Sequence, residues 1–143
     1  MDLFGNGKVN NGTDFELDFE ERYVEKYLKC NLKNYKFGLH GYIDYYQVDK
    51  EKKEVIICDL KTTGKTISDF AETVDFYNYW LQAAIYNYLV YKKLDPKDAD
   101  NYKILFKFFV IGKYNQVYVF DVLEGTMGKW AQGLSHIIEQ ANY

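Results

Sequence analysis

Asp59 and Lys61 stand two residues apart at the end of the apolar run EVIICDLK, residues 54–61. A strand sends alternate side chains to opposite faces, so this pair projects to one side while Cys58 and Leu60 project to the other. Fifteen positions before Asp59, Asp44 lies within the aromatic-rich stretch GYIDYYQV. The two stretches flank the charged segment DKEKKE. Closing that hairpin with Val48 opposite Val55 places Asp44 opposite Asp59. Directly opposed side chains have Cβ atoms about 5 Å apart.

Two carboxylates at that spacing repel, and each costs free energy to desolvate, so a cation or a shared proton must compensate. A hard divalent ion such as Mg²⁺ or Mn²⁺ prefers oxygen ligands and fills that role. Lys61 is then free to hold a water or a phosphate oxygen. Carboxylates, cation and lysine together suit phosphodiester hydrolysis, with water attacking in line and positive charge offsetting what develops on phosphorus. Gln82 and Tyr86, four apart on a helix, share one face that can turn back over the strand ends and touch substrate or order the lysine.

Each feature also has a plainer explanation. Asp59 and Lys61 alone are a strand-end salt bridge of little energetic worth. Asp44 could cap a turn, although its place inside an aromatic strand argues against that. Gln82 and Tyr86 alone are a boundary pair on an amphipathic helix. It is their conjunction that favours a site. The segment TTGKT is not a phosphate-binding loop, because the glycine required five residues before Gly64 is replaced by Asp59. His40, a strand residue that could lie near the site, and His136, a helical one, lack metal-ligand spacing. Tyr45, Tyr46, Tyr77, Tyr79 and Trp80 could stack bases, but aromatics spread along the whole chain favour core packing.

The elements that must position these residues can be read from periodicity. Residues 21–32 suit a strand, with Val24, Leu28, Cys30 and Leu32 on even positions, although a helical spacing also survives there. Residues 36–48 and 54–61 form the hairpin, and the second of these strands reads as central and buried. A long helix is expected from an N-cap at Ser68 to about Lys93, with Phe70, Val74, Tyr77, Leu81, Ile85 and Leu89 near 3.6-residue spacing. The only proline, Pro96, falls in the loop that follows. A second hairpin turns around KYNQ, and an amphipathic helix closes the chain. The order β, β, β, α, β, β, α defines an α/β (α+β) fold with one central sheet. Residues 1–14, rich in Gly and Asn, are expected to be a flexible leader, and 15–143 a single domain.

Composition narrows the class. The chain has 143 residues and a formal net charge of −3, which argues against nucleic-acid binding through a general basic field. Seventeen of its eighteen basic residues are lysines, so bidentate arginine contacts are scarce. Two cysteines, Cys30 and Cys58, are too few for an all-cysteine zinc or iron–sulfur site and resemble no secretory framework. No signal peptide or membrane-spanning run is evident, so the expectation is a soluble, reduced, cytoplasmic protein with no membrane partner.

Three motifs in order resemble one family, the PD-(D/E)XK nuclease superfamily in its RecB-like and phage-exonuclease branch. GYID (41–44) matches G-x-x-D, DLK (59–61) matches (D/E)-x-K and is followed by two threonines, and QAAIY (82–86) matches Q-x-x-x-Y. The resemblance implies a restriction-endonuclease-like core and a Mg²⁺- or Mn²⁺-dependent deoxyribonuclease, an exonuclease of recombination or repair in a bacterium or phage-infected cell. It implies that Asp44, Asp59 and the Leu60 carbonyl hold the metal and that Lys61 is the catalytic lysine. Gln82 and Tyr86 are implied as the supporting motif, and they and Thr62 and Thr63 as residues facing DNA. Many relatives carry a further acid on a helix upstream of the core strands. That helix is short or missing in this sequence, and Glu20, Glu21 and Glu25 are the candidates. Its loss would suggest a truncated domain, a fold completed by a partner, or a degenerate enzyme that binds DNA or protein without cutting. A recombination partner protein or a homo-oligomer is the partner the resemblance implies besides DNA.

Overall fold

A computed structural model describes residues 20–64, 69–70 and 78–141. The order is β1 (Glu20–Asn31), β2 (Gly38–Asp49), β3 (Glu54–Thr62), α1 (Tyr79–Lys93), a 3₁₀ turn (Ala99–Asn101), β4 (Lys103–Ile111), β5 (Val117–Val122) and α2 (Glu124–Ala141). The expected leader at 1–14 and the expected helix residues Ser68, Val74 and Tyr77 lie outside the described residues.

The five strands form one mixed sheet in the order β1-β2-β3-β4-β5. β3, the apolar run that ends in Asp59 and Lys61, is its central strand. It pairs antiparallel with β2 and parallel with β4. A parallel step requires a crossover connection, and α1 lies within it. The β2–β3 turn closes because the Asp49 carboxylate accepts the amides of Glu51 and Lys52, at 3.0 and 2.9 Å. That turn sets Val48 against Val55, the register read from the sequence.

The main core lies between the sheet and α1. Val48 and Tyr46 of β2, Val55 and Ile57 of β3, and Phe106, Phe108 and Val110 of β4 meet Ala83, Tyr86, Leu89 and Val90 of the helix. α2 packs beside α1, and Gly133 lets it approach closely, since a Cβ there would stand 2.9 Å from Cζ3 of Trp80. A smaller cluster of Tyr45, Cys58 and Phe109 occupies the opposite face. The result is the expected α+β architecture, a central mixed sheet flanked by helices.

Two local expectations are corrected. Val24 does not share the inward face of Leu28 and Cys30; it is 65% exposed. The cause is Glu25, whose φ of 48° breaks the strand's alternation, so Tyr23 packs inward before the break and Leu28 after it. The helix does not run unbroken to Lys93 either. Asn78 sits in the left-handed region with φ 57° and ψ 31°, and α1 starts only at Tyr79. Asparagine tolerates that conformation better than most residues.

No helix among the described residues is long and apolar enough to cross a membrane.

Candidate active site

β2 and β3 part company at the carboxylates. Their ladder runs from Asp49↔Glu54 to Tyr45↔Cys58 and stops one rung short of Asp44 and Asp59. Beyond that point β3 pairs only with β4, and β2 only with β1. The inward pattern of β2 changes at the same place: Val48 and Tyr46 face α1, and so does Ile43, an odd-numbered residue. Asp44 therefore lies at a break in the pleat. Its Oδ2 accepts the Leu60 amide at 2.8 Å, substituting for the main-chain partner that the fork removes. A strand residue's N–H and C=O serve the same edge, so the Leu60 carbonyl also faces the fork.

Asp59 and Lys61 continue the inward face of Val55 and Ile57, under the start of α1. Asp59 is 4% exposed, the one buried charged residue among those described. Burial pushes its carboxyl up to about 6; Lys61 opposes the shift and nearby Asp44 adds to it. Asp59 Oδ2 lies 3.0 Å from Lys61 Nζ, within ion-pair reach, yet it has no partner aligned as a hydrogen bond. The ammonium thus offsets the charge while leaving lone pairs open.

The helix supplies the rest. Lys61 Nζ donates to Gln82 Oε1 at 2.5 Å, and Gln82 Nε2 donates to the Tyr86 hydroxyl at 2.9 Å. The two helix residues therefore form a relay ending on the lysine. Burial raises the Tyr86 phenol, and Asp59 contributes further, so Tyr86 stays a neutral acceptor. Gly41 explains how the ring fits: a Cβ there would lie 2.6 Å from Tyr86 Cε1. The glycine and the aspartate of GYID thus act separately, one admitting the tyrosine and the other reaching across the fork.

Asp44, Asp59, Lys61, Gln82 and Tyr86 are accordingly brought together. Thr62 is exposed at the end of β3, and Thr63 continues the strand by donating to the Ile111 carbonyl at 3.0 Å. Glu21 is placed elsewhere: it sits opposite Val48, accepts from the Tyr23 hydroxyl and pairs with Lys50. It borders a cleft of about 540 Å³ at the other end of β3, shared with Tyr46, Lys53 and Tyr102. That cleft is remote from the carboxylate pair, and its lining mixes lysines with Glu21, Asp95 and Asp98. Glu25 falls in register with Asp44 but is exposed at its own kink. No cluster of three or more His, Cys, Asp or Glu side chains that could hold a metal occurs among the described residues. The side chain of Glu20 lies outside them.

His40 belongs to the face opposite α1, tilted against Tyr27 at 5.9 Å, and His136 is exposed on α2. Tyr45 and Tyr46 are 2% and 4% exposed and unavailable for base stacking. The sequence reading missed the use of Tyr79: its ring lies under the Lys61 ammonium, with the centroid 4.2 Å away. Its spacing three residues before Gln82 was the available signal, since i and i+3 share a helical face.

The donor set suits a hard cation. Two carboxylates converge on a fork, a carbonyl faces it, and a buried carboxylate oxygen has open lone pairs. The mixed sheet flanked by helices, with a carboxylate and a lysine closing its central strand, is a restriction-endonuclease-like α+β arrangement. The sequence matches the PD-(D/E)XK nuclease superfamily over residues 9–141, and the chain belongs to that superfamily. No match was found among curated proteins. Among solved structures, the chain is similar to a candidate exonuclease from Eubacterium rectale, at 14% identity and a TM-score of 0.48, over 89% of this chain and 45% of that one. It is also similar to a protein designated SSO0001, at 15% identity and a TM-score of 0.40, over 89% of this chain and 56% of the other. The chain thus spans about half the length of these solved structures.

Proposed function

We propose that this chain is a metal-dependent deoxyribonuclease that hydrolyses phosphodiester bonds in DNA, acting as an exonuclease of the RecB-like or phage recombination and repair type. The observation that carries this reading is the buried Asp59 beside Lys61, with Asp44 reaching to the next amide of the same strand. Asp44, Asp59 and the Leu60 carbonyl would hold Mg²⁺ or Mn²⁺. When bound, the ion supplies positive charge beside the scissile phosphate.

The chain's own groups do the remaining work. Lys61 brings an ammonium to the same side of the sheet, where it can neutralise a phosphoryl oxygen as charge accumulates. Gln82 holds that ammonium through its carbonyl, and Tyr86 fixes the orientation of the amide. Thr62, exposed one residue beyond the lysine, would meet the DNA backbone, with Thr63 and Gln82 beside it. Tyr86, only 8% exposed, would act through Gln82 and not by facing DNA as the resemblance implied.

The test is cleavage of linear duplex DNA with Mg²⁺ or Mn²⁺. Asp44→Ala, Asp59→Ala and Lys61→Ala should each abolish it; wild-type cleavage that survives Asp59→Ala or Lys61→Ala would sink the assignment. A second reading, a nuclease-like module that binds DNA or a protein partner without cutting, is favoured by the missing third carboxylate at the fork among the described residues. Calorimetry with Mn²⁺ separates the two. Binding that vanishes in Asp44→Ala supports the enzyme, and no binding by the wild type supports the module.

A further inference from the structure

The structure assigns Tyr79 as a positioning residue for Lys61, holding the ammonium over its ring by a cation–π contact while Gln82 and the Asp59 carboxylate hold it from other sides. This inference rests on the nuclease reading of the site and extends it to a residue outside its three motifs.

The lysine is nearly enclosed, with 14% of its side chain exposed, and three groups surround its Nζ. Gln82 Oε1 accepts a hydrogen bond at 2.5 Å, Asp59 Oδ2 stands at 3.0 Å without hydrogen-bond alignment, and the Tyr79 ring centroid lies at 4.2 Å. That last distance is well inside the reach of about 6 Å at which a ring face attracts a cation. A ring has an advantage over another acid here. It stabilises the ammonium without adding a third negative charge beside two carboxylates, and without taking up an N–H that could reach a phosphate oxygen.

The ring also borders an aromatic cluster. Phe70, 2% exposed, lies 6.4 Å from Tyr79 and stacks on Phe120 at 5.0 Å with an interplanar angle of 26°. Phe70 meets Phe108 edge-on at 5.5 Å, and Phe108 pairs with Asp59 across β3 and β4. The rack under the lysine is therefore tied to the strand rung that carries the carboxylate. Asn78 starts the helix in the left-handed conformation, placing Tyr79 in the first turn, one turn before Gln82.

The experiment compares single-turnover and steady-state cleavage by wild type, Tyr79→Phe, Tyr79→Leu and a series in which Phe at position 79 carries one, two or three ring fluorines. Fluorine withdraws the ring's negative face while keeping its size. The expected result is that Phe retains kcat within about twofold, that kcat falls stepwise with fluorination, and that Leu loses about tenfold or more, all with little change in KM. A flat fluorination series, a loss in Tyr79→Phe as large as in Tyr79→Leu, or an effect confined to KM overturns the inference. A readout independent of cleavage is the NMR signal of the Lys61 ε-methylene in metal-free protein. Ring current should shift it upfield in wild type and Tyr79→Phe, and the shift should disappear in Tyr79→Leu. An upfield shift in a wild type that does not cleave DNA would fail the nuclease reading and leave the contact standing. A wild type that cleaves, with Lys61→Ala inactive and no upfield shift, would fail the contact alone.

Discussion

The Asp44 carboxylate accepts the Leu60 amide at 2.8 Å, one rung beyond the last main-chain pair between their strands. A side chain thus completes the edge of the central strand at the point where the sheet opens. The opening leaves the Asp44 and Asp59 carboxylates at the end of the ladder, where the proposed cation would sit. Asp59, one residue before Leu60, is buried on the α1 side of that opening, and its chemistry should be visible in stability as well as in cleavage.

Metal-free protein should show a pH signature from Asp59. Its carboxyl is pushed up to about 6 in the folded state from an ordinary value of 3.8, so between these values the folded chain holds the proton and the unfolded chain has released it. The contribution of this group to stability is full below about 4 and is lost as pH rises through about 6. Urea denaturation of wild type and Asp59→Asn in EDTA should show the difference shifting in favour of Asn across that window, by on the order of 3 kcal/mol. A difference independent of pH would show that the carboxyl is not held protonated by burial.

Gly41→Ala should damage the site from a distance. The new methyl would meet Tyr86 Cε1 at 2.6 Å, so the ring must move, and the amide of Gln82 loses its fixed partner. We expect destabilisation of about 1–3 kcal/mol from overpacking, with a fall in kcat that exceeds what the fraction of unfolded protein explains. Thermal melting together with cleavage rates checks both. Wild-type kinetics in a destabilised Gly41→Ala would confine the glycine to packing.

The relay to Lys61 should be graded. Gln82→Ala removes the acceptor of the ammonium and should lower kcat about 10- to 100-fold, the range seen when outer-shell partners of a site are removed. Tyr86→Phe keeps the ring packing and removes only the hydroxyl that accepts from Gln82, so its loss should be smaller. Rates in which Tyr86→Phe is the worse of the two would place the operative group on the tyrosine.

Cys58 should be inert towards thiol reagents. It is 5% exposed, packed with Tyr45 and Phe109, and burial pushes its thiol up to about 11. At pH 8 a disulfide-exchange reagent should modify Cys30, which is half-buried, and reach Cys58 only on unfolding. Rapid titration of both thiols in the native protein would contradict this packing.

Much of this arrangement is legible in the residues themselves. The period-two runs and the acidic turn at Asp49 define β2 and β3 and their register, because a slip of one residue would send Val48, Val55 and Ile57 to the wrong face. The same alternation commits Asp59 and Lys61 to one side, and the four-residue spacing of Gln82 and Tyr86 commits them to one helical face. These are local rules, and local sequence suffices for them. Three other features depend on contacts between distant segments. The ladder ends at Tyr45↔Cys58, which opens the fork at Asp44. Glu25 adopts a positive φ and turns Val24 outward. Tyr79 meets Lys61, eighteen positions earlier, only because α1 crosses over the end of β3 with a break at Asn78. Periodicity says which side of an element a residue takes, whereas the packing of helix on sheet decides what it finds there. The common side of Asp59 and Lys61 and the common face of Gln82 and Tyr86 were therefore determined by the sequence, and the fork at Asp44 and the ring beneath the lysine were decided by the tertiary structure.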